Sequence, residues 1–319
     1  MLINISIILL AAAWSHANDG AAETGVGGLK LRKERSVSMR KEKLTISPVR
    51  VSVEYEFINT TDLPVVSEIA FPIPPFTYET TDLGGPRDFS DFKTWVDGKP
   101  IKVEKEVRAF VNGREVTEAL LRAGINFDRF ANFDHRVDRN PVLNLDLKSR
   151  EELVRIGALR KPLTEDDPEQ YWPEWETHIK YHWRQQFPTQ TIVRIRHEYK
   201  PVAGFGQTYL ADVKRDACID EQTFAELRKL AGIQNTDEPS GKWFGSFWVS
   251  YILTTANTWQ TPIKDFELVI NGNKDDVVTF CWDGPIERVN QTTFRVRKKD
   301  FVPGKELKIY FFRNFPSDQ

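Results

Sequence analysis

Cysteine, methionine and histidine are scarce in this chain, and neither sign of charge dominates. The 319 residues include two cysteines, two methionines and five histidines, and 44 basic residues nearly balance 46 acidic ones. This balance gives no support to a nucleic-acid-binding protein, which needs a basic surface for phosphates. With 40% hydrophobic and 28% charged residues the chain is globular, and its length suits about two domains.

The amino terminus has the composition of a secretory signal peptide. An apolar stretch covers residues 2–14, too short for the roughly 20 residues of a transmembrane helix. Ser15 and Ala17 are small residues at positions −3 and −1, and polar residues follow from Asn18. We therefore predict cleavage after Ala17 and an exported chain, periplasmic or extracellular, with no transmembrane anchor after processing. Because no lysine or arginine precedes the apolar stretch, a buried amino-terminal strand or helix is the alternative.

The two cysteines, Cys218 and Cys281, fit a single structural disulfide bond. An exported chain meets an oxidising compartment, where few thiols stay free. The loop that the bond would close is about 60 residues long, which corresponds to a stabilisation of at most about 4 kcal/mol. Two buried free thiols are the alternative, since sequence does not give the distance between the Cα atoms.

Strict alternation of apolar and polar residues predicts β-strands in two parts of the chain, residues 49–57 and 191–199. His197 falls on an apolar face, where we expect a buried, hydrogen-bonded histidine. Asp97-Gly98 predicts a tight hairpin turn. Between these parts, Ser149 predicts the start of a helix over residues 151–156.

These patterns divide the chain into a signal peptide (1–17), an amino-terminal β domain (18–112), a helical bridging region (113–173) and a carboxyl-terminal β domain with one helix (174–319). Short strands at regular spacing favour sandwiches over a parallel α/β sheet. The predicted fold is therefore mainly β, with two β-sandwich-like domains and short inserted helices, α+β overall.

Several stretches resemble the bacterial family called domain of unknown function 4424. They are residues 53–62 (VEYEFINTTD), 70–76 (AFPIPPF), 181–188 (YHWRQQFP) and 251–270 (YILTTANTWQTPIKDFELVI). The resemblance covers nearly the whole chain after the signal peptide. It implies an exported bacterial protein without an assigned catalytic activity, and it provides no catalytic residue. A fainter similarity, at the level of fold only, is to the VIT-type β domain of inter-alpha-trypsin inhibitors.

An aromatic and acidic segment is the candidate binding region. It contains Trp172, Trp175 and Trp183 together with Glu174 and Glu176. Two carboxyl groups can hydrolyse a glycosidic bond, and flat aromatic rings can bind a sugar. An acidic loop over a tryptophan-rich core has the same composition, however. The segment is thus either a sugar site or part of the core.

No motif for catalysis, cofactor binding or metal binding occurs in the sequence. His178 and His182 are four residues apart, but on a predicted strand this spacing separates them by about 13 Å. We therefore expect no cofactor and no metal, and we predict a non-catalytic β-rich module that binds a protein or a glycan of the envelope. The alternative is a carbohydrate-binding or glycoside-hydrolysing envelope protein that uses residues 171–183.

Overall fold

The computed structural model describes residues 18–25, 28–77, 91–127, 141–161, 171–233 and 242–314. Within these ranges the chain is built mainly of strands with a few short helices, so the predicted fold class is confirmed. In chain order, the strands are β1 (Gly20–Gly25), β2 (Gly28–Leu31), β3 (Val37–Ile46), β4 (Val51–Asn59), β5 (Val65–Thr77), β6 (Lys93–Val96), β7 (Lys99–Ile101), β8 (Glu104–Val111), β9 (Arg114–Glu115), β10 (Leu159–Arg160), β11 (Trp172–Pro173), β12 (Glu176–Phe187), β13 (Ile192–Tyr199), β14 (Ala203–Thr208), β15 (Phe244–Tyr251), β16 (Ile263–Asn271), β17 (Val277–Phe280), β18 (Glu287–Arg288), β19 (Thr293–Phe301) and β20 (Leu307–Arg313).

Three sheets contain most of these strands. The large sheet has eight strands in the order β18-β19-β16-β3-β4-β13-β6-β7. Its neighbours are antiparallel except for β16 and β3, which are parallel. The second sheet has the order β2-β1-β5-β12-β8-β9, and the small sheet has the order β14-β15-β20-β17. Strands β10 and β11 form a separate antiparallel pair.

Alternating residues give the large sheet one buried face and one exposed face. In β4, Tyr55 is buried while its neighbour Glu54 is exposed, and in β13 His197 is buried while Arg196 is exposed. This is the alternation that the sequence predicts for both strands. Strand β4 begins two residues later than predicted, because Val49 lies exposed in the turn between β3 and β4.

The buried face of the large sheet packs against both other sheets. One hydrophobic cluster contains side chains of β3, β4, β13 and β16, of β5 and β12 in the second sheet, and of β15 and β20 in the small sheet. Trp259 is fully buried in this cluster, with its ring centroid 4.5 Å from that of Phe57. Each large apolar side chain buried there contributes about 1.5–3 kcal/mol. The three sheets therefore share one main core.

Strands from both predicted β domains lie side by side in these sheets. Strand β12 lies between β5 and β8, and strand β13 lies between β4 and β6. The boundaries 18–112, 113–173 and 174–319 remain a prediction about the order of segments along the chain. In space, the first and last of these segments contribute neighbouring strands to the large sheet and the second sheet.

Short helices cover two regions beside the main core. They are α1 (Thr117–Arg122), α2 (Leu147–Arg155), α3 (Leu210–Asp216) and α4 (Glu221–Leu230), with 3₁₀ helices at Pro141–Asn144 and Thr254–Thr258. Helices α1 and α2 bury Leu120 and Leu153 in one apolar cluster. Helices α3 and α4 pack on Phe244 and Phe312 of the small sheet. None of the helices in the described ranges is long and apolar enough to cross a membrane.

The predicted disulfide bond is present. It joins Cys218, between α3 and α4, to Cys281, which follows β17, with a Cα–Cα distance of 5.0 Å. The backbone carbonyl of Cys218 also accepts a hydrogen bond from Thr279 at 3.1 Å. The disulfide bond therefore links the segment between α3 and α4 to the small sheet.

Candidate functional site

The exposed face of the large sheet carries side chains of alternating charge from strand to strand. Across β19, β16, β3, β4 and β13, one row follows the paired positions Arg297, Glu267, Lys43, Glu54 and Arg196. A second row follows Lys299, Asp265, Lys41, Glu56 and Arg194. Opposite charges directly across neighbouring strands stabilise a sheet modestly. We call this surface the charged face.

A cavity of about 370 Å³ opens on the charged face where β3, β4, β13 and β6 lie side by side. Its rim includes Lys41, Glu54, Trp95, Arg194 and Arg196. We call this cavity the sheet pocket. Its volume is near the lower end of the range for small-molecule sites, so it fits a small metabolite better than a polymer.

Trp95 and Arg196 form an aromatic wall of the sheet pocket. The guanidinium carbon of Arg196 lies 5.1 Å from the centroid of the Trp95 ring, which is a cation–π contact. Residues Asp97 and Gly98 hold Trp95 at the end of β6, with φ values of 48° and 78° that suit a tight hairpin turn. The Asp97 carboxylate accepts a hydrogen bond from the backbone N–H of Arg194 at 2.9 Å. The predicted hairpin is therefore confirmed, and it is fastened to β13.

The charges of the sheet pocket are only partly paired. Arg194 Nε lies 3.4 Å from Glu56 Oε1, and Arg196 pairs with Glu198. Among the residues that the structure describes, Lys41 and Glu54 have no ion-pair partner within 4 Å. The pocket thus offers one ammonium group and one carboxylate group to a ligand, beside an aromatic ring.

The buried face of the same strands carries a polar network centred on His197. This side chain is fully buried, and its Nδ1 shares a hydrogen bond of 2.9 Å with Thr94. Its Nε2 lies 3.0 Å from Oδ1 of Asp19, which is also fully buried. Burial raises the pKa of the Asp19 carboxyl, and the imidazole of His197 opposes this shift. The prediction of a buried, hydrogen-bonded histidine is confirmed.

A second part of this network surrounds the fully buried Glu42. The amide Nδ2 of Asn18 donates to both carboxylate oxygens of Glu42 at 3.1 Å. Tyr55 donates to Oδ1 of Asn18, and its hydroxyl lies 3.2 Å from that of Tyr251. Burial raises the pKa of Glu42 to about 8, with the nearby Asp19 adding to the shift and the Asn18 amide opposing it. We call the groups around His197 and Glu42 the inner network.

The structure places Trp172 and Trp175 at one apolar cluster and Trp183 in another. Trp175 is 4% exposed and belongs to the apolar cluster beneath α1 and α2. Trp183 is 6% exposed and belongs to the main core, with its ring 5.3 Å from that of His197. Trp172 is half-buried in β11, paired with Arg160 of β10. The three rings therefore do not line one surface.

The carboxylates of the candidate region have basic partners nearby. Glu174 forms an ion pair with Arg160, and Glu176 Oε2 lies 3.2 Å from His178 Nε2. His182, on the same strand, lies 2.7 Å from Glu68 instead. Within the described part of the chain, no group of three or more His, Cys, Asp or Glu side chains is arranged to hold a metal ion.

Sequence reasoning did not single out the sheet pocket. Glu54 occupies an outward position on a predicted strand and Trp95 lies beside the predicted hairpin turn, whereas Lys41 precedes the first strand that the alternation predicts. The alternation gives the direction of a side chain on its strand. It does not show that β6 and β4 both pair with β13, which is what brings these residues to one cavity.

The family model described as Domain of unknown function (DUF4424) matches residues 17–310. The chain belongs to this family. The resemblance drawn from the sequence is thereby confirmed. No curated protein matches the chain.

A solved structure from Legionella pneumophila subsp. pneumophila str. Philadelphia 1 is similar in part to this member of the family. The similarity covers 93% of this chain and 70% of that one, with 13% identity and a TM-score of 0.46. The Legionella protein carries a provisional description as a nutrient binding protein. A similarity at this level does not extend that description to the present chain.

Proposed function

We propose that this chain is a non-catalytic binding protein of the bacterial envelope and that the sheet pocket holds its ligand. The observation that carries the proposal is the composition of the pocket. It combines the Trp95–Arg196 contact with Lys41 and Glu54, which have no ion-pair partner among the described residues, around a cavity of about 370 Å³.

The ligand that fits this composition is a small zwitterion, of the size of an amino acid or a dipeptide. The ammonium group of Lys41 suits a carboxylate of the ligand, and the carboxylate of Glu54 suits an amine. The Trp95 ring provides a flat surface for an apolar or planar part of the molecule. Two opposite charges on the ligand also match a pocket that itself carries both signs.

A binding role rather than catalysis is supported by how the charged groups are held. A catalytic side chain is normally locked by its neighbours, whereas Lys41 and Glu54 are exposed and, among the described residues, have no partner that orients them. The carboxyl groups with raised pKa values, Asp19 and Glu42, are fully buried beneath the sheet. Their burial keeps them away from a ligand in the pocket.

An extracytoplasmic place is supported by the disulfide between Cys218 and Cys281. Such bonds persist in oxidising compartments and are rare in the cytosol. The predicted signal peptide points the same way. We therefore expect the ligand to come from the envelope or the medium.

The proposal is tested by calorimetric titration of the purified protein with zwitterionic amino acids and dipeptides. Dicarboxylates and oligosaccharides are titrated separately as alternative ligands. We expect a zwitterion to bind, and Trp95→Ala and Lys41→Ala to weaken binding about tenfold or more. Lys299→Ala and Arg297→Ala are matched controls, because these exposed side chains lie on β19 of the same charged face. They should leave the affinity unchanged.

Two results would count against the sheet pocket. If Trp95→Ala binds zwitterions as well as the unchanged protein does, the ligand site lies elsewhere. If an oligosaccharide binds and Trp172→Ala abolishes this, the carbohydrate-binding alternative at residues 171–183 replaces the proposal. Melting curves of each variant confirm that a lost affinity does not reflect unfolding.

A further inference from the structure

The first residues that the structure describes lie inside the protein. Asn18 and Asp19 are both 0% exposed, and β1 starts directly after them at Gly20. The indole N–H of Trp259 donates to the backbone carbonyl of Asp19 at 2.7 Å, which fixes the chain at this point. Because Asn18 is 0% exposed in the full chain, its α-nitrogen is buried there too, four covalent bonds from the amide nitrogen that contacts Glu42.

When a peptide bond precedes Asn18, the inner network has more carboxyl groups than groups that can become cationic. Among the described residues, its titratable groups are Asp19, Glu42, His197, Tyr55 and Tyr251. Two of these five groups are carboxyl groups. The imidazole of His197 is the one group among the five that can carry a positive charge. An unpaired buried carboxylate is costly, so such a group either becomes neutral or acquires a cation.

We propose that the carboxylates of Glu42 and Asp19 form an acceptor site for the α-ammonium group of Asn18, which is released when residues 1–17 are removed. In that step a signal peptidase and one water molecule break the Ala17–Asn18 peptide bond. Ala17 leaves with the new carboxyl group, and the nitrogen of Asn18 becomes a primary amine that takes up a proton. The inner network then gains one cation close to its two carboxyl groups.

This arrangement couples processing to stability. Before cleavage, the nitrogen of Asn18 is a neutral amide and cannot compensate Glu42. After cleavage, the ammonium group lies in the same buried region, where a charge interacts more strongly than in water. The unprocessed chain is therefore the less stable form, which keeps it easier to unfold during export. The acceptor site lies on the opposite face of the large sheet from the sheet pocket, so the two proposals can fail separately.

The experiment compares the protein matured from the full chain with a matched protein that carries one glycine before Asn18. Amino-terminal sequencing of the exported protein should give Asn18 as its first residue. We expect the matured form to melt about 5 °C higher at pH 7, in the range that one new buried ion pair can produce. Glu42→Gln should remove most of the difference between the two forms. Glu34→Gln is the control, because Glu34 is buried but bonded to Ser36 and Ser67, and it should leave the difference intact.

A chemical measurement covers the case in which Glu42→Gln fails to fold. Limited acetylation near neutral pH favours an exposed α-amine over lysine, because its ordinary pKa is about 8. We expect the amine of Asn18 to resist acetylation in the folded matured form and the added glycine to react readily. A first residue other than Asn18, equal reactivity of the two amines, or equal melting temperatures would overturn the proposal.

Discussion

The two faces of the large sheet use charged residues in opposite ways. Arg196 and Glu54 point outward into water, while His197 and Tyr55, their neighbours on the same strands, point into the core. Exposed ion pairs contribute about 0–1 kcal/mol each, since water screens them. A buried ionic group that loses its partner costs about 3–5 kcal/mol. Side chains of the charged face can therefore exchange an ion-pair partner for a ligand at little cost. The same loss of a partner in the inner network would strongly destabilise the fold.

The largest expected effect comes from His197→Ala. This variant leaves Asp19 without its partner and removes a ring packed against Phe92 and Trp183, at centroid distances of 5.2 and 5.3 Å. We expect the free energy of unfolding to fall by about 3–5 kcal/mol in urea denaturation. Arg196→Ala, one residue earlier and outward, should cost no more than about 1 kcal/mol. Equal losses in the two variants would remove the contrast between the faces.

The next effect is the dependence of stability on pH in a protein that keeps a residue before Asn18. Burial raises the pKa of Glu42 from 4.5 to about 8 in the folded state. Between these values the folded protein binds more protons than the unfolded chain, so the free energy of unfolding falls as pH rises. One proton corresponds to about 1.4 kcal/mol per pH unit at most.

Denaturation series from pH 4 to 9 check this slope against Glu42→Gln. The variant does not titrate at this position, so its stability should decline less across the same window. Glu54→Gln is the outward control and should leave the slope unchanged, because Glu54 is exposed. An identical slope in the unchanged protein and in Glu42→Gln would contradict the burial of an uncompensated carboxyl group.

A smaller effect is expected for Tyr251→Phe, which deletes one hydroxyl from the inner network. The hydroxyl lies 3.2 Å from that of Tyr55, and both side chains are buried. We expect a loss of about 1 kcal/mol in the free energy of unfolding, as for a typical buried hydrogen bond. Tyr310→Phe is the control on the small sheet, where the ring stacks on Phe312. A loss near zero for Tyr251→Phe would show that its hydroxyl does not stabilise the network.

The smallest effect is expected on the charged face, at a pair of residues that does not line the sheet pocket. Arg297 Nη2 lies 3.2 Å from Glu267 Oε1, and the Arg297 side chain is 63% exposed. A double-mutant cycle with Arg297→Ala and Glu267→Ala should give a coupling energy below about 1 kcal/mol. High salt should reduce it further. A coupling energy of several kcal/mol would show that ion pairs on the charged face contribute substantially to the stability of the fold.

Local patterns in the sequence predict which way each side chain points, but not which strands become neighbours. The alternation in residues 191–199 places His197 inward, and Asp97-Gly98 gives the hairpin. The partner of His197, however, is Asp19, 178 residues away along the chain. No periodicity reports a contact at that separation. For the same reason local patterns do not reveal the sheet pocket, which forms because β6 and β4 both lie next to β13.

Two local details were also beyond sequence patterns, for different reasons. Helix α2 begins one turn earlier than the helix predicted over residues 151–156, because Asp146 rather than Ser149 accepts the capping hydrogen bond, from Ser149 N at 2.8 Å. Aspartate and serine are about equally good caps, so the pattern cannot choose between them. Trp175 and Trp183 are buried, and composition alone does not separate a buried tryptophan from a sugar-binding one.

The most direct test is an NMR titration of the matured protein with a mixture of zwitterionic amino acids and dipeptides. The indole N–H signals of Trp95 and Trp259 report on the two faces, because Trp95 lines the sheet pocket and the Trp259 N–H is bonded to Asp19 in the core. We expect the Trp95 signal to shift in a saturable way while the Trp259 signal stays in place. A Trp95 signal that does not move, or a shift at Trp172 in its place, would contradict a zwitterion site on the charged face.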